Sequence, residues 1–114
     1  GTILTGADLT GVNLSGAKLV NVDLSGMDLT GAILRGTDFT NTNLIGINLA
    51  GAKLVSVDLS GMDLTGAILR GTNLNTVDLT EAILTDANLE NAVISNVNLT
   101  DATLNCSNHP ICVN

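Results

Sequence analysis

Few side chains in this sequence have the chemistry to react or to bind a metal. Cys106, His109 and Cys112 lie close together near the end of the chain. The cysteines could form a disulfide across a small loop, remain free thiols, or bind a metal together with the histidine. The metal is disfavoured because the set offers three ligands and no obvious fourth. A disulfide between Cys106 and Cys112 is therefore expected, and it would place the protein outside the reducing cytosol.

A second candidate is an acidic set, Asp38, Asp58 and Asp78, spaced twenty residues apart. If the chain returns to the same face every twenty residues, these carboxylates form a column with Lys18 at one end and Asn98 at the other. Carboxylates about 5 Å apart could bind a cation or a basic partner. A solvated column produced by the repeat pattern itself is the favoured interpretation, because no other ligand residues cluster there. We expect no metal site, no cofactor and no catalytic residue.

Composition and charge exclude several classes of function. The 114-residue chain has a net charge of −7, which disfavours nucleic acid and anionic lipid as direct partners. No apolar run approaches the roughly 20 residues of a membrane span. The sequence contains no phosphate-binding loop and no GxSxG motif. His109 has no partner nucleophile, so an enzyme is not expected.

The elements that position these side chains follow from a five-residue repeat. All nineteen leucines fall in one phase, from Leu4 to Leu104, and only Phe39 and Ile94 replace leucine in that series. All twelve glycines lie three residues before such a central position, from Gly1 to Gly71. A period of five matches neither a helix nor a simple strand, and it suits a short extended piece followed by a corner. The central residue and the residue two before it should face inward, and the other three should face outward.

These units resemble the pentapeptide-repeat family, as in Ala7-Asp8-Leu9-Thr10-Gly11 and Met27-Asp28-Leu29-Thr30-Gly31. The resemblance covers about residues 2–105. It implies an all-β fold, a right-handed quadrilateral β-helix of about five coils with four pentapeptides each, about 25 Å tall at the usual strand spacing. We expect the β-helix to occupy residues 1–105 and a C-terminal tail or cap to occupy residues 106–114.

The corner residue predicts the turn type. Gly or Asn fills this position almost throughout the first two-thirds of the chain, where the positive φ of a type II turn is expected. At Thr76, Glu81 and Asp86 we expect a different corner without positive φ.

Three further features bear on the surface. Residues 16–37 recur at 51–72 with one change, an offset of seven units that turns the copy onto a neighbouring face. Outer apolar residues are expected on two faces, one with Ile3, Ile45 and Ile83 and the other with Ile33, Val55 and Val93. The N-terminus enters the repeat at once, so an uncapped end there could support a homo-oligomer.

The resemblance implies little about function. Many members look purely structural, they are abundant in cyanobacteria and thylakoid lumens, and a few resemble duplex DNA and inhibit bacterial topoisomerases. We expect a non-enzymatic structural or protein-interaction solenoid with a protein partner, in the periplasm or thylakoid lumen, with a cytoplasmic location as the alternative. The alternative function is an acidic DNA mimic that inhibits a type II topoisomerase such as gyrase. It is disfavoured because a 25 Å duplex would carry about fifteen charges, about twice the net charge of −7 on this chain.

Overall fold

The computed structural model describes residues 2–4 and 7–112 and shows a right-handed quadrilateral β-helix, as expected. Two strands are long enough to be named. Strand β1, Thr2–Ile3, pairs in parallel with β2, Val22–Asp23, and Thr2 lies opposite Val22. The expected turns at Gly1 and Gly6, and the exposure of the Ile3 side chain, lie outside what the structure describes.

The remaining sides of the helix are too short to form longer strands. At most levels each side contributes a single parallel bridge, such as that between Asn13 and Ile33 or between Asp58 and Asp78. Partners are twenty residues apart, so four five-residue units make one coil. Two extended residues per side are all that a five-residue unit with a corner allows.

Leucine ladders fill the interior. The central leucines from Leu24 to Leu89 are buried, as is Phe39, and smaller residues such as Ala32, Ala52 and Ala67 lie between them. Burial of a leucine side chain stabilises the fold by about 1.5–3 kcal/mol. Stacking of nearly identical coils therefore replaces the aromatic core of an ordinary domain.

Three threonines occupy the inward position two residues before the centre. Thr37, Thr42 and Thr72 are buried, and the Thr72 side chain is 0% exposed. The hydroxyl of Thr37 donates to the Leu14 carbonyl at 2.9 Å, and that of Thr72 donates to the Leu69 carbonyl at 2.6 Å. A buried hydroxyl needs such a partner, since leaving it unpaired would cost about 1–3 kcal/mol.

The expectation about the later corners is wrong. Thr76, Glu81 and Asp86 have φ values of 61°, 60° and 60°, in the same region as Gly61 at 69°. The corners share one bond, in which the central carbonyl accepts from the N–H three residues later, as from Ala82 to Leu79 at 3.0 Å. With positive φ at the third position this is a type II turn. Stacking on the coil below imposes this geometry even where the residue disfavours it.

The repeat ends with a one-residue change of register. Asn88 pairs with Ser107, nineteen residues away instead of twenty. Cys106 consequently takes the inward position, where it packs against the core together with Ile111 and Cys112. The tail begins a sixth level of the coil, which adds to a long dimension of 34 Å against the expected 25 Å. Among residues 2–4 and 7–112, no helix is long and apolar enough to cross a membrane.

Candidate interaction surface

The predicted acidic column lies on one side of the β-helix, which we call the acidic face (Lys18, Asp38, Asp58, Asp78 and Asn98). Backbone bridges join Lys18 to Asp38, Asp58 to Asp78 and Asp78 to Asn98. The side chains of Asp38 and Asp58 are exposed, and that of Asp78 is half-buried. The residues therefore follow the order that the twenty-residue spacing predicts, but no backbone bridge joins Asp38 to Asp58.

Each aspartate of the acidic face is bonded within its own unit. Oδ1 of Asp38 accepts from the Thr40 backbone N–H at 3.0 Å and from the Thr40 hydroxyl at 2.6 Å. Asp78 makes the same pair of bonds with Thr80, at 2.9 and 2.6 Å. Asparagine can replace aspartate in this role, since Asn98 accepts from Thr100 at 3.0 and 2.7 Å. This local bonding explains the Asp/Asn-Leu-Ser/Thr pattern without a ligand.

The same bonds change the acidity of the carboxyl groups. The Thr40 hydroxyl and then its N–H lower the pKa of Asp38 below the ordinary value, and the Lys18 charge contributes in the same direction. Bonds from the Thr80 hydroxyl and N–H likewise lower the pKa of Asp78. These hydrogen bonds favour the charged form. Both aspartates are therefore negatively charged at neutral pH.

The C-terminal cysteines approach each other as predicted. The Sγ atoms of Cys106 and Cys112 lie 2.06 Å apart, which is the distance of a disulfide. His109 lies within this loop, and its Nδ1 accepts from the Ile111 N–H at 3.3 Å. In the part of the chain that is described, no three His, Cys, Asp or Glu side chains are grouped so that they could hold a metal ion.

Outer apolar residues are scattered. Val20, Ile45, Ile83 and Val93 are exposed, whereas Ile33 and Val55 are half-buried. Single exposed apolar residues are ordinary on protein surfaces. No continuous apolar patch follows from them.

An open cavity of about 660 Å³, which the repeat pattern does not predict, lies between two stacked coils. It lies where residues 36–42 face residues 56–63, beside the acidic face, and its lining includes Asp38, Asp58, Asp63, Phe39 and Met62. Two large residues in this lining, Phe39 and Met62, were the sequence features that could have indicated the cavity. Phe39 is the only aromatic residue, and Met62 occupies an inward position that is usually filled by a small residue.

The geometry defines a β-solenoid built from five-residue units. Eight copies of the pentapeptide-repeat model match, over residues 7–44, 32–71, 42–80 and 72–108, and the chain belongs to this family. A search of curated protein sequences gave no match.

Solved structures resemble the chain over most of its length. The pentapeptide repeat protein alr5209 of Nostoc PCC 7120 is 28% identical, with 93% of this chain and 81% of that chain covered and a TM-score of 0.64. A thylakoid-lumen pentapeptide repeat protein of Arabidopsis thaliana is 34% identical over 82% of this chain, with a TM-score of 0.48. This chain spans only 62% of the Arabidopsis protein.

A further similarity concerns QnrB1, a plasmid-mediated fluoroquinolone resistance protein. It is 18% identical, with 89% of this chain and 61% of QnrB1 covered and a TM-score of 0.54. At this identity the likeness concerns the fold alone.

Proposed function

We propose that this chain is a non-enzymatic solenoid that presents one of its outer faces to a protein partner. The observation that carries the proposal is the local use of the polar side chains. Carboxylates such as Asp38 and Asp78 already accept two hydrogen bonds from their own unit, which makes them poor candidates for a general base. What the repeat offers instead is a regular surface with four different sides.

The four sides differ in charge and polarity, which a specific partner could distinguish. The acidic face carries three aspartates, of which Asp58 and Asp78 are joined by a backbone bridge. The next side along the chain carries the exposed Ile45 and Ile83. Complementary charge gives a partner specificity and speeds its association. We therefore expect a partner with a basic surface to cover the acidic face and its neighbour.

Photo-crosslinking from each side tests this proposal. The residue after the central position is apolar and makes no side-chain hydrogen bond at Val20, Ile45, Ala50 and Val55, one on each side of the rod. A benzophenone amino acid at each site, expressed in the source cells, should give a protein adduct from Val20 or Ile45 but not from Ala50 or Val55. Equal adducts from all four sites, or none from any, would contradict the proposal.

The expected compartment is the periplasm or thylakoid lumen. The disulfide-distance pair at Cys106 and Cys112 supports an oxidising location. Fractionation of the source cells with an antibody to the protein tests it. Recovery with the cytoplasmic fraction, with free thiols, would contradict it.

The alternative function, a DNA mimic, is disfavoured because the chain carries too little negative charge. A duplex as long as the 34 Å rod would carry roughly twenty charges, whereas the chain has a net charge of −7. Lys18 also places a positive charge at one end of the acidic face. We expect no inhibition of gyrase supercoiling at micromolar protein. Inhibition at that concentration would reverse the ranking of the two functions.

Self-association through the N-terminal end is a further proposal. Leu9, Leu14 and Leu19 of the first coil are only partly buried. A cross-section of 23 by 22 Å limits an end-to-end contact to about 500 Å² per copy, which is small for a stable dimer. Analytical ultracentrifugation should therefore show at most weak, concentration-dependent dimers. A tight dimer that survives dilution would show a larger interface elsewhere.

A further inference from the structure

The coil wall has an interruption beside the cavity. Each central residue normally donates its N–H to a carbonyl nineteen residues later, as Leu34 does to Lys53 at 2.8 Å and Leu49 to Ile68 at 2.8 Å. Between residues 12 and 107 of the described chain, this pairing fails only where residues 37–44 face residues 58–63, a region we call the seam. The backbone N–H groups left without a partner there belong to Phe39, Asn41, Leu44, Asp58 and Asp63.

Bonds on both sides limit the seam to part of one coil. The Gly36 N–H reaches the Val55 carbonyl at a stretched 3.4 Å, and the Gly46 N–H reaches the Thr65 carbonyl at 2.9 Å. The coils are therefore joined on the other sides of the rod, and the seam is a slot with fixed ends.

Two large side chains lie where the coils separate. Phe39 replaces leucine in its ladder and is 2% exposed, so its ring is held inside the rod. Met62 stands in a column with Thr42 and Ala82, which are both buried, while Met62 is only half-buried. A close-packed interior accommodates added volume by shifting the backbone. The two coils that hold these residues are the ones that separate.

The slot is rich in acceptors. The carbonyls of Thr37, Thr42 and Ser60 no longer accept ladder bonds. The bonds found for the carboxylates of Asp58 and Asp63 are all at Oδ1, which leaves Oδ2 available at the cavity. A guanidinium group is planar, always charged and carries five donors and no acceptor. It therefore suits a slot between two coils that is lined by carbonyl and carboxylate oxygens.

We propose that the seam receives an arginine side chain of a partner protein, whose guanidinium lies between the two coils and donates to the freed carbonyls and to the carboxylates of Asp38, Asp58 and Asp63. This inference rests on the proposed function and names the group that the partner supplies. An anionic group is excluded by the three carboxylates.

The test is titration of the ¹⁵N-labelled protein with the peptide acetyl-Gly-Arg-Gly-amide, followed by amide chemical shifts. A matched peptide with citrulline in place of arginine has nearly the same shape and no charge. We expect saturable shifts confined to the seam amides with the arginine peptide, and at least tenfold weaker binding with the citrulline peptide. Equal binding of both peptides, or shifts spread over every face, would overturn the proposal.

Two sets of variants separate the slot from simple surface charge. Phe39→Leu with Met62→Ala restores the residues of closed coils without changing any charge, and it should abolish binding. Asp58→Asn should weaken binding about tenfold, while Asp28→Asn on another side leaves it unchanged. Both asparagines keep the Oδ1 acceptor that the turn needs, so folding is preserved.

The outcomes are distinguishable from failure of the proposed function. Undiminished binding by the closed-coil variant would overturn the slot, and an equal effect of Asp28→Asn and Asp58→Asn would do the same. If the seam amides of the closed-coil variant (Phe39→Leu with Met62→Ala) still exchange fast, its slot has not closed. The comparison of Asp28→Asn with Asp58→Asn then tests the proposal. Loss of the arginine site with face-specific crosslinks intact would remove this inference alone.

Discussion

The positive φ at Glu81 provides a sharp test of how the coils impose their geometry. Glu81 (φ 60°) and Gly61 (φ 69°) occupy the same corner on successive coils. A non-glycine residue in this left-handed region costs about 1–2 kcal/mol, and glycine gives back about 0.5–1 kcal/mol because it loses more entropy on folding. Glu81→Gly should therefore raise the free energy of unfolding by about 0.5–1 kcal/mol.

The converse substitution isolates backbone strain. A Cβ at Gly61 would meet no heavy atom within 4 Å. Gly61→Ala should therefore cost about 0.5–1 kcal/mol from φ alone, without a steric clash. Glu81→Ala, which removes the side chain and keeps the strained φ, serves as the control and should be nearly neutral.

The assay is equilibrium urea unfolding followed by circular dichroism, with the same slope required for every variant. Opposite shifts of the midpoint for Glu81→Gly and Gly61→Ala are expected. If Glu81→Gly were neutral or destabilising while Gly61→Ala was neutral, positive φ would carry no cost at this corner and the reasoning would be refuted.

Three further predictions concern the surface, the C-terminus and the core. The pKa of Asp78 is lowered in the folded state, so its contribution to stability is present above the unfolded pKa and is lost as the pH falls through the folded pKa. The urea midpoint should therefore fall on acidification below about pH 4. The fall should be smaller in Asp78→Asn, which has no carboxyl group to titrate. Reduction of the Cys106–Cys112 pair should lower the free energy of unfolding by about 2 kcal/mol, measured with and without reductant, and no change would indicate that the tail does not hold the last coil. Thr72→Val should cost about 0.5–1.5 kcal/mol by urea unfolding, because the Leu69 carbonyl loses the hydroxyl bond but still accepts from the Thr72 N–H; a neutral result would show that the hydroxyl bond adds nothing to stability.

Much of the fold could be predicted because two patterns in the repeat indicate it independently, namely the leucines every five residues and the small inward residues two positions before them. Leu34 and Ala32 lie where the pattern places them, both buried. The acidic face also follows from counting, since twenty-residue spacing brings Asp58 and Asp78 together. These features depend only on periodicity, which any one unit shares with its neighbours.

Features that depend on a single unit could not be predicted in this way. The turn at Thr76 follows the coil beneath it and overrides the preference of threonine. The seam lies where Phe39 and Met62 face each other across two coils, and the period of five does not reveal such differences in side-chain volume. The one-residue register change at Ser107 depends on the packing of Cys106 and Ile111 over the last coil.

Hydrogen exchange of individual amides, read by NMR, tests whether a rigid wall of twenty-residue coils is interrupted within its central coils by one seam. We expect slow exchange at Leu34, Leu49 and Leu64, whose N–H groups are bonded to the next coil, and fast exchange at Phe39, Leu44 and Asp63. Uniformly slow exchange across both sets would show a closed wall and contradict the seam. Uniformly fast exchange would contradict the rigid solenoid itself.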